Sequence, residues 1–147
     1  MKFYGLEPEV AGSLGKNTQM DTAVHPPRVH KLHYKLDGWL GDDLLESFPC
    51  YIITEPLKQK IETLKPSGCR FDNVEISKSD QFAMLYPSKD IPNFFWLRIH
   101  GKAGVDDLGV SDDNMLIVSE RILNVINKFH LNNCDIAEYQ TLYKAAA

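Results

Sequence analysis

The sequence predicts an α+β domain with a mixed sheet, and three observations carry that prediction. A strand–helix–strand stretch occurs twice, several other strands follow one another without intervening helices, and only two helices show both a cap and an apolar stripe. The expected architecture is therefore a mixed sheet with two repeated units packing their helices on it.

In chain order, residues 1–27 are punctuated by Gly5, Pro8, Gly12, Gly15, Pro26 and Pro27. A short strand is expected at Phe3–Tyr4, with surface loop after it. So long a loop is unusual in a compact domain and marks a missed element or a functional segment. From Val29 to Leu36 the apolar positions alternate, which predicts a half-buried strand. Asp37–Glu46 then supplies a Gly-x-x-Gly turn followed by Asp42, Asp43 and Leu44.

The first copy of the unit starts at Tyr51-Ile52-Ile53-Thr54-Glu55 and runs through Leu57, Ile61 and Leu64 to Cys69. Its counterpart starts at Leu116-Ile117-Val118-Ser119-Glu120 and runs through Ile122, Ile126 and Phe129 to Cys134. The apolar triplet reads as a buried strand. Thr54 and Ser119 are placed to cap the helix that follows, with an acidic residue in its first turn. Pro56 is tolerated in that turn because its missing N–H has no helical partner to lose. The spacing of the apolar residues then gives each helix one buried stripe. The second copy has its own lead-in, Gly101 and Gly104 before Asp106, Asp107 and Leu108, so the repeat is read as residues 38–76 and 101–139. Between the copies, a short helix is expected around Asp80–Leu85. A strong strand is expected at Phe94–His100, with Phe95, Leu97 and Ile99 inward and Trp96 on the other face. Residues 1–144 are read as one domain, and Ala145–Ala147 are set apart as a vector-derived tail.

Composition narrows the function. A chain of 147 residues can bury about two-thirds of its unfolded surface in one core. At 44% hydrophobic and 24% charged residues, it falls outside the disordered class. No run approaches the roughly 18 apolar residues of a membrane span, and the N-terminus lacks the apolar core of a secretory signal, so a cytoplasmic location is expected. The net charge of −4 leaves no basic footprint for nucleic acid. Cys50, Cys69 and Cys134 are an odd number without a CxxC pair, which predicts small buried side chains rather than disulfides or zinc ligands.

Candidate chemistry is sparse. His30 and His33 fall on opposite faces of a strand and cannot easily share an ion, so no metal or other cofactor is expected. The acidic pairs lack the alternation and closing Glu of a calcium loop. Nucleophile elbows, zinc-protease motifs and phosphate loops are absent from the sequence. The positive signal is Trp39, in a Gly-flanked turn beside Asp42 and Asp43: an aromatic anchor with a charged rim.

The runs His33–Leu44 and Phe48–Glu55 resemble a phrase recurrent in small proteobacterial proteins. So does Leu116–Arg121, followed by a helix and a short closing strand. Chains of this kind are similar to the immunity proteins of bacterial polymorphic toxin systems. The resemblance spans most of residues 1–140, and its motifs are structural. It implies a non-enzymatic protein that binds and neutralises a cognate toxin domain, many of which are nucleases with basic grooves. The expected contact surface is Trp39, Asp42 and Asp43 from the first lead-in with Asp106 and Asp107 from the second, facing a basic partner. Two alternatives stay open: a small enzyme pairing His33 or His100 with an aspartate between the repeats, or a homo-oligomeric module with Phe95 or Trp96 in a two-fold contact.

Overall fold

Thirteen strands and three short helices build residues 1–140, the part of the chain that the computed structural model describes. The first third is a run of strands: β1 (Phe3–Glu7), β2 (Gly12–Leu14), β3 (Gln19–Asp21), β4 (Arg28–Lys31) and β5 (His33–Leu36). The first repeat contributes β6 (Leu44–Ser47), β7 (Cys50–Thr54), α1 (Glu55–Thr63) and β8 (Cys69–Asp72). Next come β9 (Glu75–Lys78), α2 (Asp80–Leu85) and β10 (Phe94–Ile99). The second repeat contributes β11 (Leu108–Val110), β12 (Leu116–Ser119), α3 (Glu120–Ile126) and β13 (Asp135–Tyr139). The alanines of the expected tail lie outside the described residues.

Two four-stranded sheets share one plan. Their orders are β6-β7-β10-β8 and β11-β12-β1-β13, all antiparallel. In each, a hairpin leads into a helix, and the strand after that helix returns to the far edge. The gap between is filled by a strand from elsewhere, β10 in one sheet and β1 in the other. Equivalent residues meet: Phe94 pairs with Thr54, and Phe3 pairs with Ser119. The first helical N–H is satisfied the same way each time, Glu55 donating to the Asn93 carbonyl and Glu120 to that of Lys2, both at 3.0 Å.

Between these sheets, α1 and α3 pack on one another. Leu57 and Ile61 meet Ile122, Leu123 and Ile126 in a core that also takes Leu44, Ile53, Leu97 and Val118. Each such side chain stabilises the fold by roughly 1.5–3 kcal/mol relative to exposure. A second core, on the opposite face of β7 and β10, holds Tyr34, Leu45, Ile52, Phe82 and Trp96. It joins a three-stranded sheet, β2-β5-β9, to the first repeat; β3 and β4 form a separate hairpin.

This architecture corrects the expected fold class. Strands account for 40% and helix for 16%, in four separate sheets with three short helices, so the protein is more nearly all-β than α+β with helices on one mixed sheet. One reason lies in residues 12–21, where β2 and β3 form in place of the expected surface loop. Another is that α1 has nine residues and α3 seven, because Leu64 and Phe129 fall beyond the helices while still packing on the core. The single strand expected from Val29 to Leu36 breaks at the buried Leu32 into β4 and β5. Trp96, expected on the outer face of β10, is 5% exposed because both faces of that strand are covered. The α2 helix forms over Asp80–Leu85 as expected, with Ser79 Oγ accepting from the Phe82 N–H at 3.1 Å.

Candidate functional site

Asp42, Asp43 and Asp107 turn inward. Asp42 is 0% exposed, and its carboxylate accepts from the Asn132 and Asn133 N–H groups at 3.0 and 2.8 Å and from Asn133 Nδ2 at 3.1 Å. Asp43 accepts from the Thr54 hydroxyl at 2.6 Å and the His130 N–H at 2.8 Å. Its equivalent Asp107 accepts from the Ser119 hydroxyl at 2.7 Å and the Ser67 N–H at 3.0 Å. Thr54 and Ser119 occupy the N-cap positions of α1 and α3, yet neither hydroxyl caps its helix. Each donates to the aspartate of its own repeat, and that aspartate holds the loop after the other repeat's helix. Asp42 and Asp43 in the first repeat and Asp107 in the second are therefore reciprocal clamps between the repeats.

Of the other expected contact residues, Trp39 is half-buried and donates from Nε1 to the Asp42 carbonyl at 2.8 Å, with Phe94 edge-on to its ring. Asp106 accepts from the Lys102 N–H at 2.7 Å, within its own turn. The structure does not bring the five together as one outward-facing surface.

His33, one of the two histidines considered for an acid–base site, faces Ser77 rather than an aspartate. Its Nε2 lies 2.7 Å from Ser77 Oγ and 3.8 Å from Glu75 Oε2. Nδ1 accepts the Asn17 N–H at 3.3 Å, which in a neutral imidazole leaves Nε2 as the donor. With that tautomer the ring donates to Ser77 and cannot take its proton. His100 is exposed at the end of β10. The three thiols are unpaired, and burial pushes Cys69 up to about 11 and Cys50 and Cys134 to about 12. Trp96, considered for a two-fold contact, instead lines a slot of about 280 Å³, with the Arg98 guanidinium 4.1 Å from its ring centroid.

A larger concavity lies elsewhere, in a groove of about 600 Å³ where the two repeats meet the N-terminal segment. Five acidic residues line it: Glu7 at the end of β1, Glu9 just beyond it, Glu46 from β6, Asp113 from the β11–β12 turn, and Asp135 at the start of β13. No Lys, Arg or His side chain contributes to the lining among the described residues. Val10 and Leu40, each 66% exposed, form an apolar rim.

Backbone bonds explain why these residues converge. Glu46 N–H donates to the Glu9 carbonyl at 2.9 Å, fixing the N-terminal segment along β6. Tyr34, completely buried, ties the same walls together: its hydroxyl donates to the Glu46 carbonyl at 2.9 Å and accepts the Ala11 N–H at 3.1 Å.

Within the groove Glu9 is singular. It is only 7% exposed, its Oε2 accepts the Leu40 N–H at 2.9 Å, and its Oε1 has no hydrogen-bond partner among the described residues. Burial raises its carboxyl above the ordinary range, opposed by the Leu40 and Asp42 N–H groups and the Lys89 charge and assisted by the nearby Asp42 charge. Glu46 is raised as well, through burial and then the Glu7 charge. A site with several carboxylates, some desolvated, favours a cation. The sequence gives little warning of this, because Glu7, Glu9, Glu46, Asp113 and Asp135 stand in no motif and are joined only by long-range folding.

Comparison with protein-family models, with curated proteins and with solved structures finds no match for the chain.

Proposed function

We propose that the protein is a non-enzymatic immunity-type protein that binds a cognate toxin domain in the cytoplasm and neutralises it, with the acidic groove as its contact surface. The observation that supports this reading is the groove itself: five acidic residues beside the exposed apolar Val10 and Leu40, with no basic side chain in the lining among the described residues. The resemblance of residues 33–55 and 116–121 to immunity-type sequences points the same way. Trp39 and Asp42 serve by shaping the wall that ends at Leu40, not by direct contact. Complementary charge would speed encounter and select a basic partner, with the association rate falling as salt rises.

The test is co-expression with the toxin domain encoded beside it, scoring survival and co-purification. Protection together with a one-to-one complex supports the reading. Toxicity that the protein does not relieve, with no complex formed, rejects it.

A further inference from the structure

We infer that the slot at the end of β10 is a binding site for a small aromatic carboxylate, held by Arg28, Arg98 and the backbone N–H of Ile99. The slot exists because β10 outruns one of its neighbours. Phe94 through Leu97 pair with Thr54 through Tyr51 of β7, whereas pairing with β8 continues to Ile99. Two places beyond Leu97, the residue opposite Ile99 is Pro49, which has no N–H to offer a ladder. On the β8 side, His100 donates to the Gly68 carbonyl at 2.8 Å. Alternation along the strand therefore turns the N–H and C=O of Ile99 the other way, toward Pro49, and no hydrogen bond joins these two residues. That N–H faces the slot, where Ile99 and Pro49 both line the wall.

At about 280 Å³ the slot lies just under the usual range of about 300–1,000 Å³ for small-molecule sites, so it suits a single ring with a short substituent. Phe48, 45% exposed, and the rings of Pro26, Pro27 and Pro49 supply apolar surface for such a body. The charged part of the lining is cationic: Arg28 and Arg98 contribute to it, and no Asp or Glu does among the described residues. Arg98 is held in place, its Nη1 donating to Asp72 at 3.1 Å and its Nη2 approaching the Val29 carbonyl at 3.4 Å. These contacts orient the guanidinium while using two of its five N–H groups. Arg28 forms no ion pair among the described residues, so its charge at the slot is uncompensated. A carboxylate matches two guanidinium forks and one peptide N–H. A phosphate suits the site less well, because proline and phenylalanine rings would desolvate its greater charge without replacing the lost hydrogen bonds.

Benzoate is titrated into the purified protein while the amide signals of Arg28, Ile99 and Asn114 are followed by NMR. Benzamide keeps the shape without the charge, benzylamine reverses the charge, and acetate and inorganic phosphate carry charge without the ring. Saturable shifts are expected at the slot, including the Ile99 N–H, with benzoate binding at least about tenfold more tightly than the other four probes. Arg28→Gln, at an exposed position, is expected to weaken benzoate binding about tenfold at an unchanged melting temperature, since one charge-assisted contact is lost. The absence of saturable shifts by about 10 mM benzoate overturns the assignment. So do equal affinities for benzoate and benzamide or for benzoate and acetate, shifts that spare Ile99, or wild-type affinity in Arg28→Gln. None of these readouts involves a toxin, so the slot and the acidic groove stand or fall separately.

Discussion

Replacing Asp107 with alanine tests the reciprocal clamp where it is most concentrated. The side chain accepts from the Ser119 hydroxyl at 2.7 Å, the Ser67 N–H at 3.0 Å, and Arg121 Nε and a terminal guanidinium nitrogen at 2.9 and 2.6 Å. Ser119 is completely buried, so its hydroxyl is left without that acceptor when the carboxylate is gone. Two bonds from neutral donors to a charged acceptor contribute about 1.5–3 kcal/mol each. Because the Arg121 side chain is 46% exposed, the ion pair adds no more than about 1 kcal/mol. The loss totals about 3–7 kcal/mol, or roughly 6–28 °C in melting temperature for a chain of this size.

Calorimetry on Asp107→Ala beside Arg121→Gln separates the contributions, since the second variant loses only the exposed pair and should fall by less than about 4 °C. The stabilisation by Asp107 also depends on pH. Hydrogen bonds from Arg121, with those from Ser67 and Ser119, hold the Asp107 carboxyl well below the usual carboxylate range. Its contribution is therefore complete above the unfolded-state pKa and is lost only as pH falls through the depressed folded value. Asp107→Ala melting within about 2 °C of wild type at neutral pH, or Arg121→Gln being equally destabilised, would refute the clamp.

Three further expectations follow from the same geometry. Glu9 is raised by burial, so the folded state holds its proton more tightly than the unfolded state; stability declines as pH rises from the unfolded to the folded value. Glu9→Gln should accordingly melt higher than wild type at neutral pH, with the difference vanishing in acid, and a lower neutral-pH melting point would contradict this. Tyr34→Phe leaves the buried Ala11 N–H without its acceptor and unties Glu46, so chemical denaturation should show a loss of about 1–3 kcal/mol; an unchanged midpoint would show that the phenol does not hold the groove walls. Gly68 has φ +88°, and a Cβ there would sit 2.1 Å from the Leu108 carbonyl oxygen. Gly68→Ala should therefore destabilise by more than about 1 kcal/mol, measured the same way, and a neutral effect would show that this loop repacks freely.

What the sequence revealed depended on how far apart the interacting residues lie. The apolar triplets at Tyr51–Ile53 and Leu116–Val118 and the helical stripes after them are local patterns, and they mark β7, α1, β12 and α3. The exchange that places β1 beside β12 and β10 beside β7 leaves no local trace, so the single mixed sheet expected from the pattern gave way to two equivalent sheets. Short strands such as β2 and β3 are too brief for alternation to register. Adjacent aspartates look solvated in a turn, yet the N–H groups that bury Asp42 arrive from Asn132 and Asn133, some ninety positions later. Glu9 was invisible for a similar reason: its significance depends on an N–H from Leu40 and on four acidic neighbours scattered from Glu7 to Asp135. Trp39 was noticed for its exposed setting, but its role in the structure is to brace the wall beside the groove.

The most direct measurement compares protection by the wild-type protein and by a Glu7→Lys, Asp135→Lys variant, each co-expressed with the product of the adjacent gene, the toxin under the proposed function. Both substituted side chains are exposed at the groove and neither takes part in the aspartate clamps. Survival with the wild type, and loss of both survival and co-purification with a variant of unchanged melting temperature, is the predicted result. Full protection by the reversed-charge variant would show that the groove does not meet the toxin, and no protection by either protein would contradict the immunity function itself.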